Sequence, residues 1–239
     1  TLDSIAPELR RHIFYVDFCN EFPQHVSTPF LPEEFKRHSP AGERWMRDSI
    51  ALVRRVYPEF SYTFSFATEY ETWHEQNVAC LDFLEPHVWM TSFCDYYQQI
   101  GYEWEQFDPI GYEKIVAKGE VLYRTNPAYW QSRLVHGISL MAEWSRTSGK
   151  PLITTECWAV VVFKDWPLLN WDFVKELCET GVRHASATGR WAAMATSNFC
   201  GPQFHGMWRD VAWHRRMTDV IHGAALPNFA ANSPLPATP

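Results

Sequence analysis

Short apolar runs of the kind that form buried strands alternate with helical segments along the chain. The strand-like runs centre near residues 13, 61, 82, 152 and 192. Apolar residues recur at three- and four-residue spacing in the helical segments 41–57, 127–148, 171–180 and 211–222. This alternation predicts a parallel sheet with right-handed crossovers, either an open doubly wound sheet or the last five units of an eight-stranded barrel. No glycine-rich phosphate loop is present, which disfavours a nucleotide-binding fold.

Two of the strand-like runs end in a glutamate. Residues 13–18 are almost continuously apolar and lead into Asn20-Glu21, and the run 150–156 ends at Glu156. In an α/β barrel, the chemistry is carried at the C-terminal ends of the strands. Two strands that each deliver a carboxylate to the same edge therefore predict a glycosidase-like pair. We expect Asp17, on the same side of its strand as Glu21, to make structural hydrogen bonds.

The charge and the cysteines narrow the possible partners and cofactors. The chain of 239 residues has a formal net charge of −7, which argues against nucleic acid or an anionic membrane as a partner. No apolar run approaches the roughly 18 residues that a membrane span needs. The six cysteines form no C-x-x-C pair and no zinc-like spacing with histidine, so we predict no metal and no other cofactor.

The cysteines and the two ends of the sequence bear on the cellular compartment and on the domain organisation. Cysteines in buried-type positions and the lack of an N-x-[ST] sequon favour a reducing compartment, and so weakly the cytoplasm. The chain starts at Thr1 without a signal-like segment, and we expect upstream residues to be absent from this sequence. Residues 1–222 are predicted to form the βα units of a catalytic domain, and 223–239 a Pro/Ala-rich tail.

The order of the polar strand ends resembles that of the retaining glycoside hydrolases of the cellulase-like superfamily, often called clan A. The matching features are Asn20-Glu21, His87-Val88-Trp89 and the Thr-Thr-Glu ending at Glu156. The segment 197–214 is similar to that of a poorly characterised cellulase-like branch. The resemblance implies a (β/α)8 TIM barrel of which this chain supplies strands four to eight with their helices. The N-terminal strands have no counterpart here, so a second polypeptide segment that completes the barrel is a possible partner.

The resemblance also implies an activity and its residues. It implies a retaining glycosidase that cleaves a β-linked oligosaccharide, polysaccharide or glycoside by double displacement. Glu21 would be the general acid and then the base, Glu156 the nucleophile, and Asn20 a contact of the sugar 2-hydroxyl. His87 could bond to either glutamate and hold its orientation. Trp89 stands where the family has Tyr, so the phenol that usually touches the nucleophile is absent or comes from elsewhere.

Further residues are candidates for binding the carbohydrate substrate. Aromatic faces stack on sugar rings, and the chain has 12 tryptophans, of which Trp89, Trp158 and Trp208 are candidate platforms. Asn198, at the end of the last strand, is a candidate for a hydroxyl contact. Glu85 is either a sugar-binding carboxylate or the partner of a basic residue.

Two other classes of protein remain open at this point. The first is a non-catalytic barrel that binds carbohydrate and has lost the chemistry. The second is a metal-dependent sugar isomerase or lyase that uses Glu85, His87 and Glu156 as ligands. Sugar binding without hydrolysis would favour the first, and a stoichiometric divalent ion would favour the second.

Overall fold

The computed structural model describes residues 2–23, 35–102, 109–160, 169–197, 207 and 209–226. Most of the predicted tail 223–239 lies outside these ranges. Within them, no helix combines the length and the apolar character that crossing a membrane requires.

Helices dominate the described part of the chain. The α-helices are α1 Pro7–Arg10, α2 Pro40–Arg54, α3 Tyr96–Ile100, α4 Pro109–Lys114, α5 Glu120–Thr125, α6 Pro127–Ser148, α7 Asp172–Thr188 and α8 Val211–His222. A π-helical segment, Ile115–Gly119, joins α4 to α5, and 3₁₀ turns occupy Leu2–Ser4, Tyr70–Glu75 and Met90–Phe93. The helices predicted at 41–57, 127–148 and 211–222 are confirmed.

The starts of the two longest predicted helices follow from local capping chemistry. The side chain of Ser39 accepts a hydrogen bond from the N–H of Gly42 at the start of α2. Asn126 accepts one from the N–H of Tyr129 in the same way at the start of α6. A proline follows each cap, at a helix position where the missing N–H is not needed.

The helix α7 is longer than its pattern predicted, because Gly181 lies inside it and does not end it. A Cβ at Gly181 would lie 2.6 Å from the indole of Trp158, so only glycine lets the helix approach this closely. The helix ends at Thr188, where Gly189 adopts a left-handed φ of 64°. The predicted end of this helix at residue 180, directly before Gly181, was therefore wrong.

Short parallel strands form the sheet. β1 (Val16–Asp17) pairs with β2 (Tyr62–Thr63), and β3 (Leu152–Thr154) pairs with β4 (Trp191–Met194). The segment 81–89 lies between the two pairs. Single parallel bridges join its Pro86 to Phe66 and its Leu84 to Leu152. The strand-like runs are thus parallel and follow one another in chain order, as their alternation with helices predicts, although regular pairing covers only a few residues of each.

The core is built largely from aromatic side chains that join the strands to the helices. Phe66 on the strand side packs edge-on against Trp144 of α6, with ring centroids 5.2 Å apart. Trp158 packs against Trp191 of β4 in the same manner at 5.5 Å. All three tryptophans are almost completely buried. The high aromatic content therefore serves the core, and the fold is a helix-rich α/β arrangement with short strands.

Candidate active site

The two glutamates predicted from the strand ends lie close together, on either side of His87. Nδ1 of His87 lies 2.8 Å from Oε1 of Glu21 and 3.6 Å from Oε2 of Glu156. One carboxylate oxygen of each glutamate and this histidine nitrogen all lie within 4.8 Å of one another. The histidine side chain is fully buried, whereas 14% of the Glu21 side chain and 23% of the Glu156 side chain are exposed. Both carboxylates therefore remain accessible to a ligand from solvent.

Glu21 is held in an unusual backbone conformation by the neighbouring strand. Its φ is 52°, in the left-handed region that side chains other than glycine rarely adopt. The N–H of Glu21 donates to Oγ of Ser65 at 2.8 Å, and the next N–H, that of Phe22, donates to the Ser65 carbonyl at 2.9 Å. Asp17 in turn accepts from both the N–H and the hydroxyl of Ser65, at 2.9 and 2.6 Å. Asp17 thus has the structural role that the sequence predicted.

Arg37 fastens the segment after Glu21 to the strand that carries Ser65. Its guanidinium, on a residue only 1% exposed, donates to the carbonyls of Phe22, Phe64 and Ser65 at 3.3, 2.9 and 3.4 Å. Nε donates to the side chain of Gln76 at 3.0 Å. Burial lowers the pKa of Arg37 to about 10, although the charges of Asp17 and Glu69 act in the opposite direction. No local sequence pattern marks Arg37, because its partners come from segments far away in sequence.

Glu156 is positioned by the turn that follows β3. The hydroxyl of Thr154 donates to the carbonyls of Pro86 and Glu156, at 2.8 and 3.0 Å. Two residues after Glu156, Trp158 has a φ of 96°, and its indole N–H donates to the Ala195 carbonyl at 2.9 Å. This end of the strand is therefore fixed to its neighbours on both sides.

The charges around His87 couple the protonation of the three side chains. Burial by itself would lower the pKa of His87, but the hydrogen bond to Glu21 and the charges of Glu156, Glu21 and Glu85 outweigh it and raise the pKa. Burial raises the pKa of Glu156, the positive charge of His87 lowers it, and the charges of Glu21 and Asp17 add to the net rise. The hydroxyl of Tyr70 donates to the His87 carbonyl and fixes the backbone of the histidine. The arrangement thus favours a proton on the histidine that lies beside the two glutamates.

The other predicted binding residues are placed differently. Asn20 is exposed, next to Glu21. Trp89 and Trp158 are 3% and 0% exposed, so their faces belong to the core and are not open to a sugar ring in this structure. Asn198 and Trp208 lie outside the described residues.

Glu85 is buried beneath the site. Burial and the charge of Asp17 raise its pKa to about 7, against the lowering effect of the hydrogen bond from Tyr15. At 1% exposure its carboxylate is not open to a sugar in this structure.

The residues that could hold a metal ion differ from the predicted set. Glu21, His87 and Glu156 have suitable spacing, whereas the hypothesis had named Glu85 in place of Glu21. Oε1 of Glu85 instead accepts hydrogen bonds from Tyr15 and Thr155. The concave surface lined by Phe35, Ala41 and Trp45 does not include the three clustered side chains.

Parallel strands that end in paired carboxylates are typical of glycoside hydrolase folds. The chain belongs to the sugar-binding cellulase-like family, whose sequence model matches residues 1–222. It is also similar to a proposed glycoside hydrolase from Parabacteroides distasonis ATCC 8503, known from its crystal structure, with 40% identity and a TM-score of 0.87. That similarity covers 95% of this chain, which spans 64% of the length of the other protein. No functionally curated protein matches the chain.

Proposed function

We propose that this chain is the catalytic part of a retaining glycoside hydrolase that acts on a β-linked saccharide or glycoside. The observation that carries the proposal is the separation of at most 4.8 Å between carboxylate oxygens of Glu21 and Glu156. Retaining enzymes place their two carboxyl groups about 5–5.5 Å apart, whereas inverting enzymes leave about 6.5–9.5 Å for a water molecule. The short separation supports direct attack by one of the two carboxylates on the sugar.

In the first half of the reaction, Glu21 acts as the acid and Glu156 as the nucleophile. Glu21 gives its proton to the glycosidic oxygen, which leaves with the electron pair of the breaking C–O bond. An oxygen of Glu156 forms a new bond to the anomeric carbon from the opposite face, which gives a glycosyl-enzyme ester. Asn20, exposed beside Glu21, is the proposed contact of the sugar 2-hydroxyl.

In the second half, Glu21 becomes the base. It removes a proton from a water molecule, the water oxygen bonds to the anomeric carbon, and Glu156 leaves as a carboxylate. Two inversions at one carbon restore the original configuration. Both carboxyl groups then have their initial protonation states.

His87 lies between the two glutamates and contacts both. Its Nδ1 is close enough to Glu21 for a hydrogen bond, while Glu156 lies slightly farther away, at 3.6 Å. Burial raises the pKa of Glu156, and a positive charge on the ring offsets part of that rise and so favours the carboxylate that a nucleophile needs. The role assigned to His87 is thus to orient the acid and to stabilise the ionised nucleophile.

The proposal includes the type of fold on which the site is built. Parallel strands in chain order with helices between them support a (β/α)8 TIM barrel, of which this sequence supplies five units within 1–222. In such a barrel the candidate residues stand at the C-terminal ends of the strands, where Glu21 and Glu156 follow β1 and β3.

The test compares two single variants on a panel of 4-nitrophenyl β-glycosides. Glu156→Gln should lower turnover on the order of 10³-fold or more on every substrate, because no nucleophile remains. Glu21→Ala should lose least on the substrate with the best leaving group, since that group needs no proton, and azide should restore turnover with retained configuration. Proton NMR of the first product of the unaltered chain should show the β-anomer.

Three results would overturn the proposal. The first is an unchanged rate in both variants, and the second is an α-anomer as first product. The third is binding of the glycosides without hydrolysis by the unaltered chain, which would favour a carbohydrate-binding protein instead.

A further inference from the structure

A second buried polar group lies next to the candidate catalytic residues. The carboxylate of Glu85, which is 1% exposed, accepts a hydrogen bond from the hydroxyl of Tyr15 at 2.6 Å and from that of Thr155 at 2.9 Å, both at Oε1. Its Oε2 is buried and has no hydrogen-bond partner within the described ranges. A carboxylate in such surroundings is unfavourable unless something compensates for its burial.

Glu85 lies close in sequence or in contact to both His87 and the turn that carries Glu156. It precedes His87 by two residues on the segment 81–89, so in an extended backbone the two side chains point to the same face. Nε2 of His87 is also buried without a partner in the part of the chain that the structure describes. Thr155, which donates to Glu85, directly precedes Glu156 in sequence.

The charged and titratable groups that face Glu85 come from two elements. Tyr15 and Asp17 approach from the segment of β1, and His87 from the strand of Glu85 itself. Asp17 opposes ionisation of Glu85, whereas the hydrogen bonds of Tyr15 and Thr155 and the charge of His87 favour it. Glu85 in turn favours the protonated form of His87.

We propose that Glu85 is a positioning residue for the Glu21–His87–Glu156 site: its buried carboxylate anchors the turn of the nucleophile through Thr155, and it lies on the same face of its segment as His87. The inference rests on the proposed function only for the role of Glu156. Without the Glu85 carboxylate, Thr155 loses its hydrogen-bond acceptor, and the turn that carries Glu156 is no longer fixed to the segment 81–89.

The experiment measures the histidine and the catalysis separately in the full chain. With histidine-labelled protein, NMR titration should show the pKa of His87 lowered by about one unit in Glu85→Gln. At neutral pH kcat on 4-nitrophenyl β-glycosides should fall roughly tenfold, with a smaller change in KM, because the nucleophile is no longer held in place. A folded Glu85→Gln protein with the wild-type His87 titration and the wild-type kcat would overturn the proposal.

Further variants keep the test informative if Glu85→Gln does not fold. Tyr15→Phe removes only the phenol hydrogen bond, and should lower the pKa of His87 in the same direction but by less. Thr155→Val should lower kcat, and Thr155→Ser, which keeps the hydroxyl, should restore most of it. Equal kcat values in the two Thr155 variants, or an unshifted His87 in Tyr15→Phe, would contradict the proposed roles.

Asp82→Asn is the matched control. Asp82 is a partly buried carboxylate at the other end of the same strand, paired with Arg54 at 2.5 Å. Its replacement should lower stability without moving the titration of His87. If the chain hydrolyses no glycoside, the proposed function is refuted. The NMR titration needs no substrate, so the effect of Glu85 on the pKa of His87 can still be measured in that case.

Discussion

The backbone N–H of Glu21 lies 2.8 Å from the hydroxyl oxygen of Ser65, on the neighbouring strand. This hydrogen bond stabilises a glutamate whose φ of 52° is unfavourable for a residue with a side chain, by about 1–3 kcal/mol. The direction in which the Glu21 carboxylate points therefore depends on a serine 44 residues later in the chain.

Replacement of Ser65 by alanine should impair catalysis more than folding. It removes the acceptor for Glu21 and a donor to Asp17, and we expect kcat to fall roughly 10- to 100-fold through misplacement of Glu21. The free energy of unfolding should drop by about 1–2 kcal/mol. Steady-state kinetics and urea unfolding measure the two effects.

Thr63→Val is the control for this prediction. The Thr63 hydroxyl is also buried, two residues before Ser65, but it donates to the Phe83 carbonyl and not to the site. A similar loss of kcat in Thr63→Val would argue against a specific role for Ser65.

Replacement of Arg37 by methionine should be severely destabilising. It leaves the carbonyls of Phe22 and Phe64 without this donor in a region that excludes water. We expect the free energy of unfolding to fall by about 3–5 kcal/mol in urea titrations. The exposed Arg47, changed in the same way, should shift it by no more than about 0.5 kcal/mol. Comparable losses for the two variants would show that the buried guanidinium has no special part in stability.

Stability should decrease between weakly acidic and neutral pH. The pKa of Glu85 is raised to about 7 from its ordinary 4.5, so in this window the folded protein binds a proton that the unfolded chain has released. The free energy of unfolding therefore falls as pH rises, by at most about 3 kcal/mol for this group. The raised pKa values of His87 and Glu156 act in the same direction.

Urea unfolding at several pH values, for the unaltered chain and Glu85→Gln, measures this effect. The variant should show a flatter dependence, and its advantage should be largest above pH 7. A constant difference between the two proteins across the window would contradict the assignment of the proton to Glu85.

Replacement of Gly181 by alanine should disturb the nucleophile from a distance. The added Cβ would meet the indole of Trp158 at 2.6 Å, and Trp158 lies two residues after Glu156. We expect a loss of about 1–3 kcal/mol in stability and a measurable drop in kcat. Gly119→Ala, where the nearest atom is 3.3 Å away, is the milder control. If Gly181→Ala leaves both the stability and kcat unchanged, helix α7 can move away from Trp158 without shifting the turn that carries Glu156.

Chelation should distinguish a glycosidase from a metal-dependent enzyme. Dialysis against EDTA is expected to leave glycoside turnover unchanged. Excess Zn²⁺ should inhibit it, because the ion would occupy the oxygens of Glu21 and Glu156 that the reaction needs. Activity that disappears with EDTA and returns with a stoichiometric divalent ion would favour the isomerase or lyase alternative.

The sequence was informative wherever a single segment carries the signal. A buried run followed by a glutamate marked Glu21 and Glu156, and parallel order was sufficient to expect them at one edge. The contacts of Ser65 and Arg37 were not foreseeable, because they join segments separated by tens of residues and follow no local pattern. The helix predicted at 171–180 was too short, because a glycine that ends a helix and one that makes room for an indole, as Gly181 does, look alike in sequence. Trp158 likewise illustrates that composition cannot separate a ring that packs in the core from one that binds sugar.

The order of the strands has a further consequence for the reacting pair. Glu21 and Glu156 follow the first and fourth strands of a row, which in a flat sheet with about 4.8 Å between neighbours would be roughly 14 Å apart. Their carboxylate oxygens are within 4.8 Å, a distance that is expected if the row curves inward at this edge as in the proposed barrel. Any substitution that straightens the bend would widen the gap toward the range in which a water molecule fits between acid and base. The stereochemistry of the product would then depend on backbone curvature set by residues that never touch the sugar.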